Sequence, residues 1–347
     1  MTKLKKGAYC TDIHFGKKAN SQTHNEDCLN YLEWFCGNVE SDPTIDYVAF
    51  LGDWNENRSA LNIQTLNYSY KGAKMLNNLN LPIFFVIGNH DLYHRHTRDV
   101  HSVIPFVEFD NFILIDQPII VETIHDTVLF CPYMFHDEYP DLKKYLHIPY
   151  WAGHFEFKGF VVTGYNVRMP TGPDPRDYKG PEHIVSGHFH KRQAHEQVVY
   201  IGNTFPMDFG DAGDNDRGMM VYDHVKKDML FHNWEVCPKY IKTTLSDIID
   251  KNVTMYPQSR VKCLVDIPVT FEESTYLRSK FVEKYDLREF QMEESPEIAN
   301  ALTETETSVE PGKLESVNEL VVKMLMDIDS EHINNKLLVD IYKELKV

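Results

Sequence analysis

Five short clusters of aspartate, asparagine and histidine carry the groups in this sequence that are most suited to chemistry. They are Asp12-Ile13-His14, Gly52-Asp53, Gly88-Asn89-His90-Asp91, Gly153-His154 and Gly187-His188-Phe189-His190. Carboxylate oxygens, imidazole nitrogens and an amide oxygen together suit hard or borderline divalent cations such as Mn²⁺, Fe²⁺, Zn²⁺ or Mg²⁺. A glycine opens four of the five clusters and allows tight backbone where side chains crowd together. The combination predicts a metal-dependent site.

Apolar runs of strand length alternate with helical stretches in the first part of the chain. We predict strands at Ala8–Ile13, Tyr47–Leu51 and Pro82–Ile87, separated by helices at His24–Phe35 and Ile63–Leu79. This β-α-β-α-β order favours an α/β fold with parallel strands. The first three clusters follow these strands, and ligands of α/β sheets gather at the carboxyl ends of strands, so one site can collect them. The fourth cluster follows no clear strand.

Shorter β segments succeed one another in the middle of the chain, which indicates antiparallel or mixed pairing. They are Phe112–Ile115, Ile119–Glu122, Val128–Cys131, Phe160–Thr163, Ile184–Ser186 and Val198–Ile201. After about Val236 we predict a small α+β unit with a strand at Arg260–Ile267 and a helix at Glu272–Lys284. The whole is expected to be a mixed α/β sandwich with a small appended domain.

The acidic charge of the chain is unevenly distributed. The net charge is −17, which argues against a general nucleic-acid-coating protein, but eight glutamates and one lysine lie between Gln291 and Glu319. We predict a flexible acidic linker over 291–313 and two amphipathic helices in a tail over 314–347. The tail either folds back on the body or docks on a partner chain. No apolar run has the length of a transmembrane helix or a signal peptide, so a cytoplasmic protein is expected.

In this order, the five clusters resemble the DxH…GD…GNHD…GH…GHxH signature of the calcineurin-like metallophosphoesterases. The resemblance implies a four-layer α/β/β/α sandwich with mixed sheets over residues 1–235 and a capping domain over 236–290. It also implies two divalent metal ions, preferably Mn²⁺. One metal would be held by Asp12, His14, Asp53 and His190, and the other by Asp53, Asn89, His154 and His188. His90 would assist the leaving oxygen beside the metals, with its ring oriented by Asp91.

Within this family the chain resembles DNA nuclease subunits of the SbcD type. The segments that carry this resemblance are Asp12-Ile13-His14-Phe15-Gly16, Tyr200-Ile201-Gly202-Asn203-Thr204 and Asp216-Arg217-Gly218. It implies an exonuclease and endonuclease of DNA double-strand-break repair and recombination. The implied partners are an SMC-like ABC ATPase of the SbcC type, bound through the C-terminal helices, and a second copy of the chain, bound through the Asn62–Leu79 region.

One position departs from the pattern of these nucleases. Glu56 stands three residues after Asp53, where many of them have aspartate or histidine. We expect the Glu56 carboxylate to support the metal ligands without binding a metal itself. The role that a histidine has at this position in some relatives cannot be assigned to Glu56. Arg58 either contacts phosphate or braces the same loop.

Basic residues follow several of the clusters and are candidates for DNA phosphate contacts, with a solvated polar rim as the alternative. They are Lys17, Lys18, Arg95, Arg98, Lys191 and Arg192, with Arg168 and Arg176 in a loop rich in proline and glycine. Two other functions stay open: a phosphoprotein phosphatase or small-molecule phosphodiesterase on the same fold, and a non-catalytic DNA-binding scaffold subunit. Turnover of a phosphomonoester without action on DNA would favour the phosphatase, and absence of bound metal would favour the scaffold.

Overall fold

The computed structural model describes residues 3–162 and 167–294, together with positions 326, 335–337 and 339. The chain divides into one compact unit of residues 1–265 with 269–293 and a second of residues 266–268 with 294–347. Beyond residue 294 the predicted linker and tail lie outside the described residues, apart from those few positions. The division at residue 235 stays a prediction.

The regular elements of the described chain alternate between strands and helices at first and are mostly strands later. In chain order they are β1 Lys6–Cys10, α1 Lys17–Asn20, α2 Gln22–Ser41, β2 Tyr47–Phe50, α3 Ile63–Asn77, β3 Ile83–Val86, β4 Phe112–Ile115, β5 Ile119–Glu122, β6 Thr127–Cys131, β7 Tyr150–Gly153, β8 Val161–Val162, β9 Val167–Arg168, β10 His183–Ser186, β11 Gln193–His195, β12 Val198–Tyr200, β13 Gly218–Asp223, β14 Asp228–Asn233, β15 Tyr240–Thr244, α4 Leu245–Ile249, β16 Arg260–Val265, α5 Phe271–Tyr285 and β17 Glu289–Glu294. The predicted β-α-β-α-β order of the first part is confirmed.

Two six-stranded sheets form the body of the fold. The first has the strand order β14-β13-β1-β2-β3-β4, and the second has the order β11-β12-β10-β7-β6-β5. Strands β1 to β4 are parallel, as are β6, β7, β10 and β12, while the outer strands add antiparallel pairs. Parallel strands end at one edge of a sheet, so both sheets present several strand ends together.

Alternation along the strands separates three apolar layers. In β2, Val48 and Phe50 face helices α2 and α3, whereas Tyr47 and Ala49 face the second sheet. Such period-two alternation buries both faces of a strand when each face has a covering layer. Helix α3 is capped at its N-terminus by Asn62, whose side chain accepts the N–H of Gln64 at 2.8 Å.

The predicted mixed α/β fold with two sheets is confirmed, with one difference in its outermost layer. Within the described residues, 3₁₀ segments at Tyr139–Tyr145 and Pro175–Tyr178, not α-helices, contribute Leu142 and Tyr178 to the core outside the second sheet. Strand β7 was not predicted, because four residues between a proline and a glycine give too little periodicity. No helix in the described ranges is long and apolar enough to cross a membrane.

A third sheet of β15, β16 and β17 in that order follows the two large ones. The predicted strand and helix of this region are observed as β16 and α5, and α5 begins with a capping box formed by Thr270 and Glu273. Arg288 forms a bidentate ion pair with Asp27 of α2, with N–O distances of 2.6 and 2.9 Å. The residue that precedes β17 is therefore tied to helix α2 of the large sandwich.

Candidate metal centre

The predicted ligands lie at the carboxyl ends of parallel strands from both large sheets. Asp12 and His14 follow β1, Asp53 follows β2 and Asn89 follows β3 in the first sheet. In the second sheet, His154 follows β7, and His188 and His190 follow β10. The two sheets end side by side here, so ligands that are far apart in sequence become neighbours.

Several of these ligands have a left-handed backbone. The φ angles of Asp12, His14, Asp53 and His188 are 53°, 53°, 58° and 89°. This conformation costs a non-glycine residue about 1–2 kcal/mol and persists only where the surroundings hold it. Here the N–H of Asp12 donates to the carbonyl of Gly52 at 2.9 Å, and a Cβ on Gly52 would lie 2.4 Å from Nδ1 of His154. Four of the predicted ligands share this uncommon conformation, which often occurs at functional positions.

Asp12, His14 and His190 form the first cluster. Nε2 of His14 lies 3.1 Å from Nε2 of His190 and 3.7 Å from Oδ1 of Asp12, and Nε2 of His190 lies 3.9 Å from the same oxygen. Oδ1 of Asp12 is buried without a hydrogen-bond partner. A buried carboxylate oxygen is costly unless a charge compensates it, so the donor set fits a divalent cation.

Asp53, Asn89, His154 and His188 form the second cluster. Oδ1 of Asn89 lies 2.9 Å from Nε2 of His154 and 2.9 Å from Nδ1 of His188. Oδ2 of Asp53 lies 3.4 Å from Nε2 of His154. The same oxygen lies 3.9 Å from Nε2 of His14 in the first cluster. Asp53 therefore stands between the clusters, as a bridging ligand must.

Burial and neighbouring charges set the protonation of these rings in the chain alone. Burial lowers the pKa of His190 to about 3, so the ring is neutral and one of its nitrogens has a lone pair. Burial also opposes protonation of His14, yet the neighbouring carboxylates of Asp12 and Glu56 raise its pKa to about 10. The carboxylates thus attract positive charge to this point, and a bound cation competes there with the proton.

The sequence of the chain matches the family model of the calcineurin-like phosphoesterases over residues 8–192, more than half of its length. The chain belongs to the calcineurin-like phosphoesterase family. Exonuclease subunit 1 of Enterobacteria phage T4 is 21% identical over 296 residues, which are 78% of this chain and 86% of that protein.

Two solved structures of other proteins are also similar. A novel archaeal phosphodiesterase is 14% identical, with a TM-score of 0.37 over 66% of this chain and 99% of that one. Nuclease MPE of Pseudomonas putida is 16% identical, with a TM-score of 0.31 over 65% of this chain and 87% of that one. Both likenesses are too distant to carry an argument about activity.

Glu56 contacts both a ligand of this calcineurin-like centre and His90. Its Oε2 lies 2.8 Å from Nδ1 of His14, and its main-chain carbonyl lies 2.8 Å from Nδ1 of His90. An acceptor at Nδ1 favours a proton on that nitrogen, so each ring turns its Nε2 away from Glu56. Burial opposes the charge of Glu56, but the neighbouring ring of His14 lowers the pKa of this carboxyl well below its usual value. The glutamate that departs from the nuclease pattern therefore supports the first cluster.

Asp91 forms no hydrogen bond with the ring of His90, contrary to the prediction that it orients this ring. Its fully buried carboxylate accepts four main-chain N–H groups at 3.0 Å, from Gly88, Asp53, Trp54 and Asn55. Burial raises the pKa of Asp91 to about 7, and the charge of Asp53 acts in the same direction. Asp91 thus organises the backbone of two loops that carry predicted ligands, whereas the carbonyl of Glu56 holds the His90 ring.

Sequence reasoning missed Glu156 as a member of the site. Its Oε2 lies 3.2 Å from Nε2 of His188, on the opposite ring edge from the Nδ1 that faces Asn89. The hydrogen bond with His188 lowers the pKa of Glu156, so the carboxylate is ionised and accepts the Nε2–H. The sequence did offer one indication of its role, because Glu156 is a carboxylate only two residues after the predicted ligand His154. Each cluster thus has one histidine backed by a glutamate.

The predicted phosphate-binding cations differ in how far protein contacts already occupy them. Arg98 pairs with both oxygens of Glu138 and donates to the carbonyl of Tyr133, and Arg192 donates to Ile201 and Asn233. Protein groups therefore occupy both guanidinium groups. The prediction that Arg98 and Arg192 contact DNA is corrected accordingly. Lys17 lies 3.4 Å from Glu56, Lys18 contacts the hydroxyl of Tyr240, Arg168 donates to Gly159, and Arg176 pairs with Asp174. Arg95 and Lys191 are exposed, and Arg58 is half-buried.

Proposed function

We propose that this phosphoesterase is a metal-dependent DNA nuclease that hydrolyses phosphodiester bonds at a two-metal centre. The observation that carries the proposal is the position of Asp53, whose Oδ2 lies 3.4 Å from a ring nitrogen of one cluster and 3.9 Å from a ring nitrogen of the other. Similarity to the phage exonuclease subunit extends over 296 residues and so beyond the matched family region, 8–192. That extent favours a nuclease over a phosphatase on the same fold.

The residues of the centre have separate tasks. When bound, two divalent cations supply Lewis-acid activation of water and charge stabilisation for in-line displacement at phosphorus. Asp53 holds both clusters at a fixed separation, while Glu56 and Glu156 fix the rings of His14 and His188. His90 has a side chain that is 34% exposed and directs Nε2 away from its hydrogen bond to the Glu56 carbonyl. His90 can therefore donate a proton to the leaving oxygen.

Finer features of the function are proposed on the same basis. We propose Mn²⁺ as the metal, because a mixed carboxylate, imidazole and amide set suits it, with Mg²⁺, Fe²⁺ and Zn²⁺ as competitors. We propose a role in DNA repair and recombination, inside the cell, with an SMC-like ATPase of the SbcC type. The phage relative is named as a subunit, which supports a partner protein.

A homodimer through α3 is also proposed. Ile63, Leu66 and Tyr70 are 79%, 45% and 52% exposed, and their spacing places them on one face of the helix. An exposed apolar stripe of this kind marks a contact surface more often than isolated exposed residues do. It coincides with the region that the sequence indicated.

The decisive experiment measures degradation of end-labelled linear DNA, single- and double-stranded, in the presence of Mn²⁺. We expect the wild type to degrade DNA and His188→Ala to be inactive, because the second cluster loses a ligand. His147→Ala, which removes an exposed histidine outside the clusters, is the matched control and should retain wild-type activity. Hydrolysis of p-nitrophenyl phosphate without any action on DNA would instead establish a phosphatase, and absence of Mn²⁺ binding would leave a scaffold subunit.

A further inference from the structure

A groove of about 290 Å³ lies between the first strand of the small sheet and a loop of the large sandwich. One wall is formed by Lys239, Tyr240, Ile241 and Lys242 at the start of β15, with Thr254 and Tyr256 beside them. The other wall is formed by Ala212, Gly213 and Asn215. Its volume lies at the lower end of the range for small-ligand clefts, roughly 300–1,000 Å³, so it has room for one nucleotide unit but not for a duplex.

The groove is cationic although the chain as a whole is acidic. Its described lining includes two lysines and no carboxylate, while the full chain has a net charge of −17. Nζ of Lys239 lies 5.1 Å from the ring centroid of Tyr256, and that tyrosine is 42% exposed. An ammonium group next to a partly exposed aromatic ring provides the two contacts that a phosphate and its attached base require.

One wall of the groove is linked by side-chain contacts to residues of the metal centre. Tyr240 contacts Lys18 through its hydroxyl, and the neighbouring Lys17 lies 3.4 Å from Glu56, which holds His14. On the other wall, the loop is fixed by the buried Arg217, which lies 3.2 Å from Asp211 and 2.9 Å from Asp214. The strand that lines the groove is therefore joined through Lys18 and Lys17 to the glutamate that supports His14.

We infer that this groove binds one nucleotide of a single-stranded DNA segment, away from the bond that is cleaved. Lys239 and Lys242 contact phosphate, and the base stacks on Tyr256. The inference rests on the proposed nuclease function and specifies how the strand is held. A peptide is the competing occupant, because β15 is an edge strand and edge strands can pair with peptides. Because the groove has two lysines and no carboxylate in its described lining, the polyanionic DNA strand is favoured over a peptide.

The test measures affinity for a fluorescently labelled oligothymidylate by anisotropy over a range of salt concentrations, with EDTA present so that no cleavage occurs. Lys239→Ala with Lys242→Ala should reduce the slope of log affinity against log salt by about 1.4, or roughly 0.7 for each lost phosphate contact. Tyr256→Ala should weaken binding about tenfold, whereas Tyr256→Phe should retain it because stacking needs only the ring.

The matched control changes two exposed lysines elsewhere, Lys3→Ala with Lys226→Ala, whose side chains are 57% and 75% exposed. This variant has the same net charge as the groove variant and should bind like the wild type. The thermal midpoint and the Mn²⁺ affinity of each variant verify its fold. An oligonucleotide with 5-iodouracil should crosslink on irradiation to the peptide that contains Tyr256.

The outcomes separate this inference from the function on which it rests. If the wild type binds and degrades DNA while the groove and control variants bind equally well, the groove is not a DNA site and only this inference falls. A crosslink that maps elsewhere would overturn it in the same way. If the wild type binds no oligonucleotide, the nuclease proposal falls and the groove proposal falls with it.

Discussion

The carboxylate of Glu156 lies 3.2 Å from Nε2 of His188, on the ring edge that faces away from the metal cluster. The pair fixes the tautomer, so that Nδ1 of His188 presents its lone pair beside Asn89. Carboxylates in this position also raise the basicity of a metal-binding imidazole. Glu56 and His14 repeat the arrangement in the first cluster, with the two ring nitrogens exchanged. The centre is thus held by two histidine–glutamate pairs.

Replacing Glu156 should weaken metal binding without unfolding the protein. Glu156→Gln keeps the shape but loses the charge that supports the imidazole, so we expect the affinity for Mn²⁺ to fall about 10- to 100-fold. Isothermal titration with Mn²⁺ measures this directly, and Glu108→Gln, at an exposed position, is the control. A Mn²⁺ affinity equal to that of the wild type would show that Glu156 is a bystander.

Replacing Asp91 should affect stability more than chemistry. Asp91→Asn leaves one oxygen for four main-chain N–H groups and turns an amide NH₂ towards donors. We expect a loss of about 2–4 kcal/mol in the free energy of unfolding, because buried donors lose their partner. Urea unfolding in EDTA measures it apart from metal binding. If the variant unfolds like the wild type and only the pH profile of cleavage changes, Asp91 acts on His90 after all.

How much of the centre could be predicted depends on which contacts are local. The cluster positions at strand ends followed from hydrophobic runs and residue types, as for Asp53 after β2. The left-handed backbone of Asp12 and His14 has no signal in the residue types and depends on hydrogen bonds to a loop about forty residues away. The pairing of Glu156 with His188 likewise arises only when β7 and β10 lie side by side. The residue types of the site could therefore be predicted from the sequence, whereas the backbone conformation and the glutamate partners that support them could not.

Acidification should destabilise the fold through His224. This residue is 1% exposed, and its Nε2 lies within hydrogen-bond distance of the Tyr47 hydroxyl, at 2.7 Å. Burial lowers its pKa from 6.5 to about 4. As the pH falls from 6.5 towards 4, the unfolded chain takes up a proton that the folded chain excludes, so the free energy of unfolding falls by about 3 kcal/mol.

The measurement compares urea unfolding of the wild type and His224→Gln between pH 7 and pH 4 in EDTA. The glutamine can accept the Tyr47 hydroxyl but does not titrate, so its stability should fall less steeply across this window. All other titrating groups are common to both proteins and cancel in the difference. Parallel pH curves for the two proteins would contradict the prediction.

The exposed face of α3 predicts how the proposed dimer can be separated. Leu66→Asp with Tyr70→Asp places two charges on an apolar stripe whose residues are 45% and 52% exposed. Burying unpaired carboxylates at an interface is strongly unfavourable, so the variant should be monomeric at concentrations at which the wild type is dimeric. Size-exclusion chromatography with light scattering measures the mass. Val225→Asp, at a 53% exposed apolar residue between β13 and β14, should stay dimeric. If the wild type is monomeric at every concentration, the dimer proposal is wrong. If Val225→Asp also makes the protein monomeric, the dimer contact does not lie on α3 specifically.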